Sequence, residues 1–248
     1  MIEQYFAAVR NLGDQVLAGQ LPVMEAVAGL FADKAAEGKS LFITGCSHSS
    51  IFAQEVFYRA GGFMLMNPLF LPGMTLETPP VTRTTRFERI SGLADAVLDE
   101  SPVRKGDVLV IASISGRNVV PVEMALWARN RGVCTVALTS IPYAESVASR
   151  HPDGRKLHEL CDYTLDVGCP PGDAVLEISG MSERMGPSST VIGIMMMHAV
   201  IARTTELLRQ AGFDAPVFVS SNLDGGDETN RKRLSRYGTQ IHYLANSK

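Results

Sequence analysis

Two rhythms of apolar residues take turns along this chain: short unbroken runs, and longer stretches with helical spacing. Residues 2–38 are helical in period, with Pro22 predicting a break or the first turn of a second helix. Leu41-Phe42-Ile43-Thr44, closed by Gly45, reads as a buried strand, and Ile51 to Ala60 as the helix after it, ended by Gly61-Gly62. Phe63-Met64-Leu65-Met66 is a second strand candidate. Residues 67–84 hold Pro68, Pro72, Pro79 and Pro80 and read as a long loop, a length usually tied to function or an interface. Helical spacing resumes from Phe87 to Leu98.

The clearest unit follows. Val108 to Ala112 is an apolar strand, Val122 to Arg131 a helix ended by Gly132, and Cys134 to Leu138 another apolar strand. Strand, loop, helix and strand within about thirty residues make a βαβ unit. Strands apolar throughout are buried on both faces, as in a parallel sheet between helical layers. Tyr163 to Val167 is the next strand and Ser188 to Arg209 a long helix; residues 217–248 add a short strand, a Gly-Gly turn and a terminal helix or strand. The pattern predicts one α/β domain over residues 1–248: N-terminal helices over 1–38, then an α/β core with a C-terminal extension over 39–248. Its expected form is a three-layer, doubly wound, flavodoxin-like parallel sheet of about five strands.

Composition narrows function by exclusion. Of 248 residues, 46% are hydrophobic, so the chain has enough to build an ordinary core. A net charge of −3 without a Lys/Arg cluster argues against nucleic acid as a partner. The start, Met1-Ile2-Glu3-Gln4, lacks the basic and apolar regions of a signal peptide, and the apolar run Val191 to Ala202 is short for a bilayer. Cys46, Cys134, Cys161 and Cys169 form no Cys-x-x-Cys pair, which fits reduced thiols. A cytoplasmic protein with no membrane partner is expected. Asp224 to Asn230 lacks EF-hand spacing and a P-loop lysine, so its Gly-Gly reads as a helix-entry turn, and no metal is expected.

Chemistry is expected at two strand ends, because ligands of open parallel sheets bind beyond the carboxyl ends of strands. One runs into Gly45-Cys46-Ser47-His48-Ser49-Ser50, the other into Ser113-Ile114-Ser115-Gly116-Arg117-Asn118. Hydroxyls and helix N-terminal N–H groups can wrap a phosphate without lysine. The plainer alternative is that Ser and Asn cap two helices.

These loops resemble the SIS (sugar isomerase) domain. Its Gly-x-Gly-x-Ser-x-x-x-Ala pattern is matched by Gly45, Ser49 and Ala53, with Ser47 in the second glycine place. Its Ser-x-Ser-Gly-x-Ser/Thr pattern is matched by Ser113, Ser115 and Gly116, with Asn118 in the last place. Further segments, among them Phe57 to Gly62, Gly186 to Thr190 and Asn222 to Asp227, are similar to a single-domain bacterial SIS subfamily without a settled substrate. The resemblance implies a sugar-phosphate ligand held by Ser49, Ser113, Ser115 and Asn118, with Gly45, Ser47, Gly116 and Arg117 in the same loops. It also implies a homodimer or higher homo-oligomer, without a cofactor. The implied reaction is aldose–ketose isomerisation; the alternatives are a non-catalytic phosphosugar sensor and a sugar-phosphate lyase or etherase.

Isomerisation needs a base and groups that stabilise an enediolate. On a helix from His48, positions 48, 52, 55 and 59 share one stripe, while Ala53, Val56 and Ala60 face the sheet. Glu55 is therefore the first candidate for the base, against a plain Glu55–Arg59 ion pair. His48 and His151 are the other catalytic candidates, with a capping-region role and a solvated loop as their ordinary readings. His198 reads as a core histidine. Asp173 and Glu177 would share a face if their stretch were helical.

Overall fold

The computed structural model describes residues 1–214 and 216–244. Five strands form one sheet in the order β2-β1-β3-β4-β5: β1 Leu41–Gly45, β2 Met66–Leu69, β3 Val108–Ala112, β4 Cys134–Thr139 and β5 Tyr163–Asp166. Every neighbouring pair is parallel, with Leu41 opposite Val108 and Val108 opposite Cys134. This is the expected doubly wound α/β sheet, and all five positions of β1 and all five of β3 are buried.

Alternation along the strands divides the core into two layers. Leu41, Ile43, Val108, Val110, Val136 and Leu138 face α1 (Ile2–Ala36), α2 (Ser50–Glu55) and α7 (Ser189–Gln210). Phe42, Leu109, Ile111 and Ala137 face the other way. They meet α4 (Leu93–Leu98) and α5 (Val119–Asn130), where Leu98, Val120 and Trp127 close the core. The remaining helices are α3 (Thr82–Phe87), α6 (Ile141–Glu145) and α8 (Gly226–Arg236).

Several boundaries differ from the expectation, each for a local reason. Pro22 lies inside one continuous α1, because it sits on the exposed side while Met24, Val27, Ala28 and Phe31 pack below it. The second strand starts at Met66, three residues later than expected, and includes Pro68. An edge strand tolerates a residue without an N–H. The loop thus shortens to residues 70–81. The helix expected over 87–98 forms only from Leu93, since α3 already ends at Phe87 and Gly92, with a left-handed φ of 82°, caps the start of α4; Glu123 accepts from the Gly92 N–H at 2.9 Å. The helix expected to run to Ala60 ends at Glu55, so Ala60 is exposed while Ala53 and Val56 remain buried.

By length and composition α1 and α7 could each cross a bilayer, a property the short Val191–Ala202 run had not suggested. In the fold, Val27, Ala28 and Phe31 of α1 and Ile192, Met196, Met197 and Val200 of α7 share the core with the sheet. The C-terminal segment forms a bridge, Phe63 to Val217, rather than a strand, and then α8. It clamps the sheet edge: buried Asn67 Nδ2 donates to the Leu41, Leu65 and Gln240 carbonyls, and its Oδ1 accepts from the His242 N–H at 2.7 Å. The last four positions, 245–248, lie outside the described residues.

Candidate functional site at the strand tips

The two hydroxyl-rich loops meet in one cavity of about 410 Å³ at the carboxyl ends of β1 and β3. Ser47, His48 and Ser49 line one side and Ser113, Ser115 and Asn118 the other, with Glu88, Tyr143 and Asp173 between. The β1 tip turns sharply because residue 45 has no side chain: a Cβ there would stand 2.3 Å from the Ser49 carbonyl oxygen. Ser47 takes a left-handed φ of 53°, which explains why a glycine suits this place. Its N–H donates to the Met74 carbonyl at 2.7 Å, and its hydroxyl accepts from Thr84 at 3.1 Å. Ser47 therefore pins the overlying loop, with its hydroxyl already engaged.

At the β3 tip, Gly116 has φ 57°, and a Cβ on it would lie 3.1 Å from the Thr139 hydroxyl. Gly45, Gly116 and Arg117 shape the loops without lining the cavity. Arg117 instead buries its Nε without a hydrogen-bond partner among the described residues. Its carbonyl accepts from the Arg150 N–H at 2.8 Å. The hydroxyls of Ser49, Ser113 and Ser115 line the cavity and make no side-chain hydrogen bond among the described residues. They are the donors available to an anion.

The remaining candidates divide. His48 is on the wall. Glu55 is not: it lies on the α2–α7 seam, where its Oε1 meets His198 Nε2 at 3.2 Å and pairs with Arg59. The short α2 carries it past the cavity, and Phe52, one turn earlier, occupies the wall in its place. Gly193 lets α7 come this close, since a Cβ there would stand 2.5 Å from the Phe52 ring. Burial, with the Arg59 charge, holds the His198 imidazole below its ordinary pKa. His151 also stays outside the cavity lining: its Nδ1 accepts from the Asp153 N–H at 3.2 Å and closes its own loop.

Asn118 is engaged from both ends. Its Nδ2 donates to Glu88 Oε2, and its Oδ1 accepts from Arg150 Nη1 at 2.7 Å. This amide orientation is forced, since guanidinium can only donate and carboxylate only accept. Glu88 caps the C-terminus of α3, and its carbonyl accepts from the Val120 N–H at 3.1 Å, docking α3 on the first turn of α5. Burial raises the Glu88 pKa, opposed by the Asn118 hydrogen bond and the charges of Arg150 and Arg89.

Asp173 and Glu177 do not form a helical pair. Asp173 has a left-handed φ of 54°, and Oδ1 accepts from the Ser188 and Ser189 N–H groups at 3.0 and 2.8 Å, while Oδ2 accepts from the Ser189 hydroxyl. It caps α7. Glu177 pairs with Arg184 at 3.1 Å on the surface. Burial pushes the Cys46 thiol far above its usual value, so this wall residue stays protonated. Among the described residues, no group of three His, Cys, Asp or Glu side chains could hold a metal ion.

Sequence reasoning missed Glu88 and Tyr143. No local spacing marks Glu88, because its partner Asn118 is 30 residues away and the contact exists only once α3 docks.

A family model described as a SIS domain matches residues 4–140. A UPF0309 protein of Shouchella clausii is 40% identical over 98% of this chain and 99% of its own. One of Streptomyces coelicolor is 42% identical over 97% of this chain and 96% of its own. Among solved structures, a phosphoheptose isomerase from Neisseria gonorrhoeae has a TM-score of 0.56 at 17% identity, covering 83% of this chain and 97% of that one. One from Francisella tularensis gives 0.55 at 14% identity, covering 83% and 96%. At these identities the likeness is one of fold.

Proposed function

The chain belongs to the SIS-domain family, and from that premise we propose that it is a sugar-phosphate aldose–ketose isomerase with its substrate at the tips of β1 and β3. The observation that carries this reading is the convergence of the unengaged Ser49, Ser113 and Ser115 hydroxyls in one cavity. They supply neutral donors for a phosphate, at a strand end where parallel sheets bind ligands. The Val120 N–H of α5 is already taken by the Glu88 carbonyl, so the grip rests on hydroxyls more than on the helix terminus. The fold shared with the two phosphoheptose isomerases supports the same substrate class.

Isomerisation moves one proton between adjacent carbons and a second from the hydroxyl to the former carbonyl oxygen. A base removes the first from the carbon next to the carbonyl, the C–H electron pair becomes the enediolate double bond, and the carbonyl oxygen takes the charge. Return of a proton to the former carbonyl carbon gives the ketose or aldose with no oxidant or reductant. Titratable groups for this work stand on the cavity wall at His48 and Glu88.

The reading extends to assembly and location. Ile2, Phe6, Leu17 and Leu21 form an exposed apolar stripe along α1, beside exposed Val191 and Met195 of α7. A second copy of this chain would cover it, and light scattering at micromolar concentration is expected to report at least a dimer. The four unpaired thiols support a cytosolic protein.

The test is incubation with pentulose, hexulose and heptulose phosphates in deuterium oxide. The expected result is deuterium at the carbon beside the carbonyl, together with the isomeric sugar phosphate. Tight binding without exchange across the panel contradicts an isomerase and supports a sensor, and an unsaturated product assigns a lyase.

A further inference from the structure

Resting on the reading of the cavity as a phosphosugar site, we infer that Glu88 takes and returns the substrate proton, and that Asn118 and Arg150 position its carboxylate instead of gripping the phosphate. Two carboxylates line the cavity. Asp173 has both oxygens committed to the start of α7, and a cap of that kind has no lone pair to spare without loosening the helix. Glu88 accepts through Oε2 alone, and among the described residues it makes no ion pair and no hydrogen bond through Oε1. One oxygen is held and one is open, which is what a positioned base requires.

The chain Arg150 to Asn118 to Glu88 fixes that geometry. Arg150 orients the Asn118 oxygen, so the amide nitrogen faces Glu88. A serine or threonine at position 118 would be too short to bridge the two. The amide therefore has a use here that the resemblance to Ser-x-Ser-Gly-x-Ser/Thr did not suggest. Charged and titratable groups face Glu88 from each packed element: Arg89 beside it, Arg150 from the loop after α6, and Cys46 at the β1 tip. Across the cavity stand His48, Tyr143 and Asp173. Burial favours the protonated carboxyl, while Asn118, Arg150 and Arg89 favour the carboxylate, and burial prevails. A carboxyl whose proton affinity burial raises is suited to both accept and return a proton.

In the step itself, Glu88 carboxylate becomes the acid as the substrate C–H breaks and the enediolate forms. It then gives the proton to the adjacent carbon, while the hydroxyl proton passes to the former carbonyl oxygen.

The test compares wild type and variants on whichever sugar phosphate of the panel exchanges. Glu88→Gln is expected to lose about 10²–10⁴ of the exchange rate, yet keep the thermal shift produced by that sugar phosphate. Asn118→Ala is expected to lower kcat with little change in KM and to move the acid limb of kcat/KM to higher pH, because the carboxylate loses a stabilising donor. Arg150→Met should move the limb the same way, and Arg150→Lys should recover most of it. A carboxyl ¹³C titration of Glu88 needs no substrate and is expected to lie above the ordinary glutamate value, higher still in Asn118→Ala. The inference is overturned if Glu88→Gln exchanges at the wild-type rate, if Asn118→Ala leaves the Glu88 titration unmoved, or if Asn118→Ala raises KM alone. Wild type that exchanges deuterium in no sugar phosphate sinks the isomerase reading itself, and the proton-transfer role with it.

Discussion

Two glutamates stand one on each side of the question of where proton transfer occurs. Glu55 and Glu88 both approach the carboxyl ends of the strands, and both have an arginine in reach. Glu55 is paired directly to Arg59 and touches His198, at about a third exposure, on the α2–α7 seam. Glu88 is held by a neutral amide, with its arginine one residue removed, and it faces the cavity. A carboxylate neutralised by a contact ion pair has its charge fixed. One buried and held through an amide keeps its proton affinity adjustable, and the amide sets how far.

The comparison breaks first at activity. Glu88→Gln is expected to reduce deuterium exchange by about 10²–10⁴, while Glu55→Gln stays within about threefold of wild type; exchange lost in both equally would erase the distinction. Next comes ligand binding, on which exchange through Glu88 depends. Ser115→Glu places a carboxylate where the phosphate should lie, and is expected to abolish a stabilisation of about 2.7 kcal/mol at a hundredfold excess over Kd. An unchanged thermal shift would put the ligand elsewhere.

The third effect is on stability against pH. Burial raises the Glu88 pKa, so its contribution to stability is fully present below the unfolded value and is lost as pH rises through the folded one. Glu88→Gln should therefore melt at or above wild type at pH 7, and the gap should close in acid. A markedly lower melting temperature at pH 7 would argue that Glu88 is a structural residue. The smallest effect belongs to the ion pair: Glu55→Ala should cost about 0–1 kcal/mol, as half-exposed pairs do, in denaturant melts. In the same region Arg59→Gln should raise the His198 pKa, read by NMR, since the Arg59 charge helps to hold it down.

The same pair of residues shows how much of this molecule its sequence reveals. Leu41–Thr44, Val108–Ala112 and Cys134–Leu138 are strands because unbroken apolar runs have one stable place, inside a covered parallel sheet. The glycine and serine loops follow from those strands, and so the cavity walls were legible. Helix ends were less so: Ile51 to Ala60 has no breaker, yet α2 stops at Glu55, and the chain beyond it turns to meet the C-terminal segment, with the Gly61 N–H donating to the Phe218 carbonyl and Tyr58 edge-on to the Phe218 ring. That shift undoes the stripe argument for Glu55. Glu88 was invisible for a different reason. Its neighbours arrive from residues 46, 118 and 150, and only tertiary docking unites them. Asn118 looked like a replaced hydroxyl until Arg150 and Glu88 were seen at its two ends.

The most direct measurement is a crystal structure of Glu88→Gln holding the sugar phosphate that wild type exchanges. The account predicts the phosphate against the Ser49, Ser113 and Ser115 hydroxyls, with the carbonyl carbon and its neighbour within reach of residue 88. A phosphate bound away from those hydroxyls, or a sugar directed at Glu55 and His198, would contradict it.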